Sequence, residues 1–320
     1  MVFKEHKYVR FFALALLHLR AGWLALVVLF FCCLQPPGAM GESGTGQLRI
    51  GFSSKAFVNV PKNDMKIAVG VLSRKVARKA FESVDSRIYD SSADIENALK
   101  LKKLDVIALT PDEFIHLRSG VSLEPAMITV AGNSYEVELL VLVRKGSGLN
   151  SIADLKGKTI ALPSSNAQYG SIYRIWVDTL AMKEGAASSN AYFSYLKETD
   201  SASKAILSVF FRTIDACVIS RQAFEITSEL NPQLSRELKA IAHISRLAGG
   251  IIAFRKELPE EYKQKTREAL QALHKDQEGR QLLMLFHLNS LAPFRSEYLD
   301  ATELLYAEYR ERRAMVAGKR

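Results

Sequence analysis

Cysteine is scarce in this 320-residue chain: Cys32, Cys33 and Cys217 are the whole complement. Two of them lie in the N-terminal apolar segment, so if that segment is removed Cys217 stands alone and no internal disulfide can form. Cys217 sits within the apolar run Ile214 to Ile219 and reads as a small buried hydrophobe. Histidine is equally uninformative for metal chemistry. His6, His18, His116, His243, His274 and His287 are each isolated, with no cysteine or carboxylate at ligand spacing. A Gly-rich phosphate loop, a serine nucleophile elbow and a paired-cysteine motif are all missing. Asp64, Asp112 and Glu113 fall in expected first helical turns, where capping and the helix dipole account for them. The residues therefore argue against an enzyme and imply no cofactor. The formal charge of +9 comes from scattered basic residues without a recognition motif, which excludes nucleic acid as a partner and favours small anions in a general way.

What is present begins with an export signal. Lys4, Lys7, Arg10 and Arg20 form a basic leader around the apolar stretch Phe11 to Leu17, and the apolar run Ala21 to Leu34 follows. Gln35-Pro36-Pro37-Gly38 breaks any helix, and Ala39-Met40-Gly41 supplies the small residues a signal peptidase reads, predicting cleavage before Glu42. The second run is short against the roughly 20 apolar residues that span a bilayer. An uncleaved anchor from Phe11 to Leu34 is the alternative, at the cost of Arg20 inside the span. Either way the bulk of the chain is expected outside the cytoplasm, in the periplasm or beyond. Phe31 before Cys32 argues against lipidation.

From Gln47 onward, short apolar runs alternate with helical patterns, which is the signature of α/β sheets. Leu48, Ile50 and Phe52 alternate as a strand. Asn63-Asp64 is expected to cap a helix carrying Ala68, Leu72, Val76 and Ala80, and Leu104 to Leu109 reads as a strand buried on both faces. Strands are expected at Glu138 to Val143 and Thr159 to Leu162, with helices over Tyr169 to Met182 and from Ala202 to Phe210. A weak internal repeat joins the two halves. Asp105 to Thr110, with Phe114 beyond, resembles Asp215 to Ser220, with Phe224 at the same offset. Helix, turn, Asp, buried strand and hydroxyl cap thus occur once in each half, implying two comparable lobes.

A ligand between two such lobes would lie beyond the carboxyl ends of the strands, where helices begin and free backbone N–H groups favour an anion. Ser53, Thr110 and Ser220 are candidate contacts at strand ends. The segment Pro163-Ser164-Ser165-Asn166 adds three hydrogen-bonding side chains before the helix that Tyr169 opens. Each also serves as an ordinary N-cap, a role that stabilises its own helix by about 1 kcal/mol.

Several strings then look familiar. Lys62-Asn63-Asp64, Leu104 to Pro111, Tyr135 before an apolar strand, Ile152-Ala153-Asp154-Leu155-Lys156-Gly157-Lys158-Thr159-Ile160-Ala161, and Ile251 to Leu258 together resemble the PhnD-like phosphate, phosphite and phosphonate substrate-binding family of ABC importers. The resemblance implies a two-lobe type 2 periplasmic-binding-protein fold, each lobe a mostly parallel sheet flanked by helices, joined by two crossings near Ser134 and Leu247 to Gly250. It implies a first lobe of residues 47–134 returning at 250–300 and a second lobe of 135–249, between a signal peptide or anchor over 1–41 and a basic tail over 301–320 that the residues themselves indicate, the tail's last stretch, Arg310 to Arg320, reading as a solvated helix end. It further implies a monomer that hands a small anionic solute to a membrane permease, or, in an alternative use of the same fold, a sensory domain that partners a membrane kinase.

Residue by residue, the resemblance matches Tyr135 cleanly. It places Ser165-Asn166-Ala167-Gln168 where the family has Ser-Thr-Ser-Gly, Ser91 where it has a tyrosine, and Thr199 where it has a histidine, with Asp200 retained beside it. Lost tyrosine and histidine donors would lower affinity for a tetrahedral anion. N-terminal sequencing of exported protein is expected to begin at Glu42, and a start at Met1 would establish the anchored form.

Overall fold

A computed structural model describes residues 46–56, 62–78, 81–164 and 170–318. The N-terminal leader, including the expected cleavage site, lies outside the described residues.

The chain opens with β1 (Gln47–Ser53), α1 (Lys62–Ala77), β2 (Ser83–Tyr89), α2 (Ser92–Lys100), β3 (Val106–Leu109), α3 (Pro111–Leu117) and β4 (Leu123–Val130). It continues through β5 (Glu136–Arg144), β6 (Thr159–Pro163), α4 (Gly170–Lys183), α5 (Ser189–Tyr192) and β7 (Tyr195–Thr199). Next come α6 (Ala202–Phe210), β8 (Ala216–Ser220), α7 (Arg221–Leu230), α8 (Gln233–Glu237) and β9 (Leu238–Ala248). It ends with β10 (Ile251–Arg255), α9 (Glu260–Ala272), α10 (Gln277–Leu285), β11 (Ser290–Pro293) and α11 (Asp300–Ala317). The strands form two sheets, ordered β11-β4-β10-β3-β1-β2 and β7-β6-β8-β5-β9. In the first, β1 runs parallel to β2 and β3, and in the second β6 runs parallel to β7 and β8. Antiparallel strands flank each trio: β10, β4 and β11 in one sheet, β5 and β9 in the other.

Hydrophobic patterning explains the layers. Leu48, Ile50 and Phe52 alternate on one face of β1 and pack against Met65, Val69 and Val76 of α1. The run Leu139 to Val143 has no polar residue because β5 is buried on both sides. Leu139, Val141 and Val143 join the core under Trp176 and Val177 of α4, while Leu140 and Leu142 join Ile206 and Val209 of α6 on the other face. Cys217 is free and fully buried on β8 in that second core, and burial pushes its thiol well above the ordinary range.

The repeat extends further than the sequence comparison indicates. Ser91 and Ser201 N-cap α2 and α6, each accepting from the backbone N–H three residues on. Each helix ends before a left-handed non-glycine residue, Lys102 at φ 53° and Arg212 at φ 61°. The aspartate that follows then accepts a backbone N–H from the first parallel strand of its sheet. Arg49 N reaches Asp105 at 3.1 Å and Thr159 N reaches Asp215 at 2.8 Å, both across 56 residues. The two halves therefore share one α/β unit down to the aspartate that accepts from the neighbouring strand, buried at Asp105 and half-buried at Asp215.

Two expectations change. Asn63 and Asp64 lie inside the first turn of α1, not ahead of it, since the helix already runs at Lys62. The basic tail expected over 301–320, whose last stretch reads as a solvated helix end, is helical from Asp300 to Ala317 as α11 and packs against the core. Its charged residues masked an apolar stripe at helical spacing: Thr302 and Leu305 are buried, and Leu305 with Tyr306 packs into the core of the second sheet.

Asp105 carries more than its twin. Besides Arg49 N it accepts from Arg49 Nε at 2.7 Å and from the buried Arg255 at 2.9 Å, so β1, β3 and β10 meet on one carboxylate. Asp105→Ala leaves the buried Arg255 with only the longer, exposed contact to Glu257 at 3.7 Å as a charge partner and is expected to cost about 3–5 kcal/mol. Asp215→Ala, which removes two hydrogen bonds from Thr159, is expected to cost about 1–3 kcal/mol. Urea denaturation of both variants checks the ranking.

Candidate functional site

The carboxyl ends of the two parallel trios supply the candidate residues, and in the first sheet they point at one buried carboxylate. Glu113 stands in the first turn of α3 and is 3 % exposed. Ser53 Oγ donates to it at 2.8 Å, Thr110 Oγ1 at 3.0 Å, Thr110 N at 3.2 Å and Ser92 Oγ at 3.4 Å, with Lys55 Nζ at 4.0 Å. Ser53 and Thr110 are thus both near the cleft and already engaged by the protein itself. Ser91 is occupied by its cap, accepting from Asp94 N at 3.1 Å and donating to Asp94 Oδ2 at 2.7 Å. Beside Glu113, Asp112 accepts a hydrogen bond from Ser171 Oγ in the first turn of α4, linking the first-sheet half to the second.

On the second-sheet side, Ser164 N donates to Thr199 O at 2.9 Å, closing β6 against β7. Thr199 is buried and its hydroxyl donates to Ser201 O at 2.9 Å. Asp200 is exposed and pairs with Lys204 at 2.6 Å, which holds its carboxyl below the ordinary range. Ser220 N-caps α7, accepting from Ala223 N at 3.2 Å. It also hydrogen-bonds the buried phenol of Tyr173, which burial pushes up to about 12. Ser165, Asn166 and Tyr169 lie outside the described residues.

A groove of about 500 Å³ runs between the halves beside the two crossings. Tyr135, Ser220 and the start of β5 line it, facing Thr129, Phe286 and Leu288 of the first-sheet half. Sequence reasoning passed over its charged centre. Arg221, directly after the Ser220 cap, forks onto Glu138, with Nη2 to Oε1 at 2.9 Å and Nε to Oε2. His243 Nδ1 approaches the same Oε1 at 3.0 Å. The sequence signal was the acidic pair Glu136 and Glu138 at strand period, ahead of the apolar run Leu139 to Val143, together with a basic helix start at Arg221. The hydrogen bond from Arg221 is the main cause that keeps the Glu138 carboxyl below its ordinary range, and the guanidinium is raised in return. Around this pair the N-terminal ends of α6 and α7 both open toward the groove, through Ala202, Ser203, Ser220 and Arg221. The helix starts favour a negative group at this wall, where Arg221 is already paired with Glu138 and the Glu136 and Glu225 carboxylates also line the groove.

The crossings are held by close backbone approach. Gly249 N donates to Tyr135 O at 3.1 Å, and Gly250 N to Thr129 Oγ1 at 2.7 Å. A Cβ on Gly249 would stand 2.7 Å from Thr129 Oγ1 and 3.1 Å from Tyr135 O, so only glycine fits. The Tyr135 ring stacks on Tyr298 with centroids 4.0 Å apart, and Thr302 Oγ1 accepts from Ala248 N at 2.9 Å.

The comparisons fit this geometry. The family model described as the periplasmic substrate-binding protein of phosphonate ABC transporters matches residues 60–298. The chain belongs to that family. No curated protein matches its sequence. Among solved structures, PhnD1 of Prochlorococcus marinus, in complex with methylphosphonate, is 15 % identical. It aligns over 83 % of this chain and 99 % of its own, with a TM-score of 0.62. The binding protein component of an ABC phosphonate transporter, PA3383 of Pseudomonas aeruginosa, is 16 % identical over 85 % of this chain and 89 % of its own, at a TM-score of 0.61. XAC2383 of Xanthomonas citri, bound to ATP, is 16 % identical over 84 % and 98 %, at 0.64.

At these identities the likeness establishes the fold, a type 2 periplasmic binding protein, while the family match establishes the broad role. This phosphonate-family chain is a binding component of ABC transport and not an enzyme, and its family implies export to the periplasm. Among the described residues no helix is long and apolar enough to cross a membrane.

Because the folded value of Glu138 is depressed, its pairing with Arg221 persists above the ordinary carboxylate range and is lost as pH falls through the lower, folded value. An NMR titration of the Glu138 carboxyl carbon is expected to show a midpoint below that of free glutamate. Arg221→Leu is expected to raise that midpoint.

Proposed function

We propose that this protein captures a small anionic solute in the groove between its two sheets and delivers it to the membrane permease of an ABC importer. In this reading residues 47–134 and 250–300 make one lobe and residues 135–249 the other, closing about the Gly249–Gly250 and Ala131–Tyr135 crossings. The observation that carries it is the meeting of two helix starts, α6 and α7, with Arg221 on one wall of the 500 Å³ groove. Helix N-termini bind anions without needing many charged side chains. The solved relatives are consistent with an anionic ligand, since they hold methylphosphonate, ATP and chloride ion.

The first-sheet wall supports the same reading by elimination. Its hydroxyls at Ser53, Thr110 and Ser92 already serve Glu113, as Arg221 serves Glu138, so in this reading the anion's donors are the backbone N–H groups at the starts of α6 and α7, with Ser165 and Asn166 as further proposed contacts. Methylphosphonate, phosphate, a sulfonate and a carboxylate, each added to the purified protein, test this by thermal shift, because a ligand that binds only the folded state raises its melting temperature. At least one anion is expected to raise it. Arg221→Leu removes a charge-assisted donor worth about 1.5–3 kcal/mol and is expected to weaken that anion by roughly tenfold or more. Indifference to all four, or unchanged affinity in the variant, would overturn the assignment.

A further inference from the structure

The end of the first sheet away from its candidate ligand contacts has a different character. Because β1, β2 and β3 run parallel, α1 and α2 both finish beside the strand starts. They cover opposite faces, α1 packing Val76 onto Leu48 and Val106, and α2 packing Leu99 onto Ile107 and Leu109. The end of α1 exposes Arg74 and Arg78, and the end of α2 exposes the run Lys100-Leu101-Lys102-Lys103. Arg74, Arg78, Lys102 and Lys103 have no carboxylate partner among the described residues. The carboxylates around these two helix ends are Glu82, Glu96, Asp276 and Glu278. Lys100 takes Glu96 at 2.5 Å, and Lys75 takes Asp276 and Glu278 at 2.9 and 2.7 Å, which leaves Glu82 against four unpaired cations. In the neighbouring turn into α9, Glu257, Glu260 and Glu261 are matched by Arg255, Lys263 and Lys265.

The internal repeat separates what the turn requires from what has been added to it. Leu101 follows α2 as its C-cap and is 55 % exposed, ahead of Lys102 at φ 53°. Phe211 follows α6 in the same way and is 66 % exposed, ahead of Arg212 at φ 61°. The turn thus holds an apolar residue out in water in both halves. Its flanks differ: Phe210 and Thr213 in the second half are Lys100 and Lys103 in the first. A helix C-terminus favours a cation, yet the second half meets that demand with Arg212 alone. The extra lysines around Leu101 are therefore not needed by the fold. The chain also enters the sheet here. Gly46 O accepts from Glu82 N at 2.7 Å and Ser83 N at 3.0 Å, so the residues that carry the apolar runs Phe11 to Leu17 and Ala21 to Leu34 join the first sheet at this end.

An exposed leucine ringed by lysines, with two more cations across the sheet, matches a lipid interface. The side chain enters the boundary between headgroups and acyl chains while the cations meet phosphates. A soluble anion would use the cations and leave the leucine in water, whereas a bilayer uses both. We propose that this end of the first sheet rests on an anionic lipid bilayer, with Leu101 in the interface and Arg74, Arg78, Lys102 and Lys103 over the headgroup phosphates. The contact is independent of the solute site and of the ligand's identity.

The test floats the exported protein, with whichever N-terminus it carries, on vesicles of phosphatidylcholine alone and of a phosphatidylcholine–phosphatidylglycerol mixture at low salt. Binding to the anionic vesicles is expected to be roughly tenfold stronger, and the preference is expected to fade as salt rises. Lys102→Glu combined with Lys103→Glu is expected to remove the preference. Lys156→Glu combined with Lys158→Glu, an equal charge change at exposed residues before β6, is expected to leave most of it. In Leu101→Trp the added indole emission is expected to shift to the blue on anionic vesicles, while that of Phe211→Trp stays unmoved. Inorganic phosphate at matched ionic strength is expected not to displace the protein. Equal flotation of protein that starts at Glu42, equal loss in the two double variants, or displacement by phosphate would overturn the proposal. Should a retained leader carry the protein onto both vesicles, an unshifted emission in Leu101→Trp would overturn it as well.

Discussion

Asp105 is the point on which the first-sheet half converges. Its carboxylate takes the backbone N–H and the guanidinium of Arg49 from β1 and the guanidinium of Arg255 from β10, while its own backbone bonds to both strands. A carboxylate with 1 % exposure survives there because every lone pair is used and two cations flank it. Since β10 is antiparallel and arrives from far along the chain, this ion pair also fixes where the returning strand sits against β3. The hydroxyls at the ends of β1 and β3 inherit their positions from that register.

The second-sheet half solves the same problem with less charge. Asp215 receives only Thr159, through backbone and hydroxyl, both at 2.8 Å. Its neighbour across the sheet is β5, whose Arg144 at that end turns its guanidinium to Phe210 O and Glu237 instead. The difference follows from connectivity. The second half is continuous in sequence between its crossings, whereas the first must recruit its final strands after the detour, and a charged clasp gives that recruitment specificity as well as contact.

Much of the scaffold was legible because it follows from periodicity. The alternation in β1, the double-sided burial of β3 and β5, and the amphipathic spacing of α6 are direct consequences of which faces meet a core. The internal repeat was legible through Asp and hydroxyl positions, yet the Ser91 and Ser201 caps belong to it equally and went unpaired, because a serine before a helix is too common to stand out. The groove was harder to read. Arg221 and Glu138 are distant in sequence and meet only through the β5–β8 pairing, and a lone charge at a helix start looks like solvent exposure. Glu113 likewise reads as a dipole-favoured residue in a first turn, and only the packing of β1 against β3 shows Ser53 donating to it. The apolar stripe of α11 was hidden by the acidic and basic residues that surround it.

The placement of α11 has a consequence in time. Thr302 bonds the backbone at Ala248, Glu303 pairs with Arg118 of the first-sheet half, and Leu305 completes the core of the second. The last helix is thus a shared keystone, and neither half reaches its final packing until it has arrived. Elongation from the N-terminus leaves β3 without β10, Asp105 without Arg255 and the second core short of Leu305 until the chain is nearly whole. A polypeptide built this way completes both halves only with its last helix.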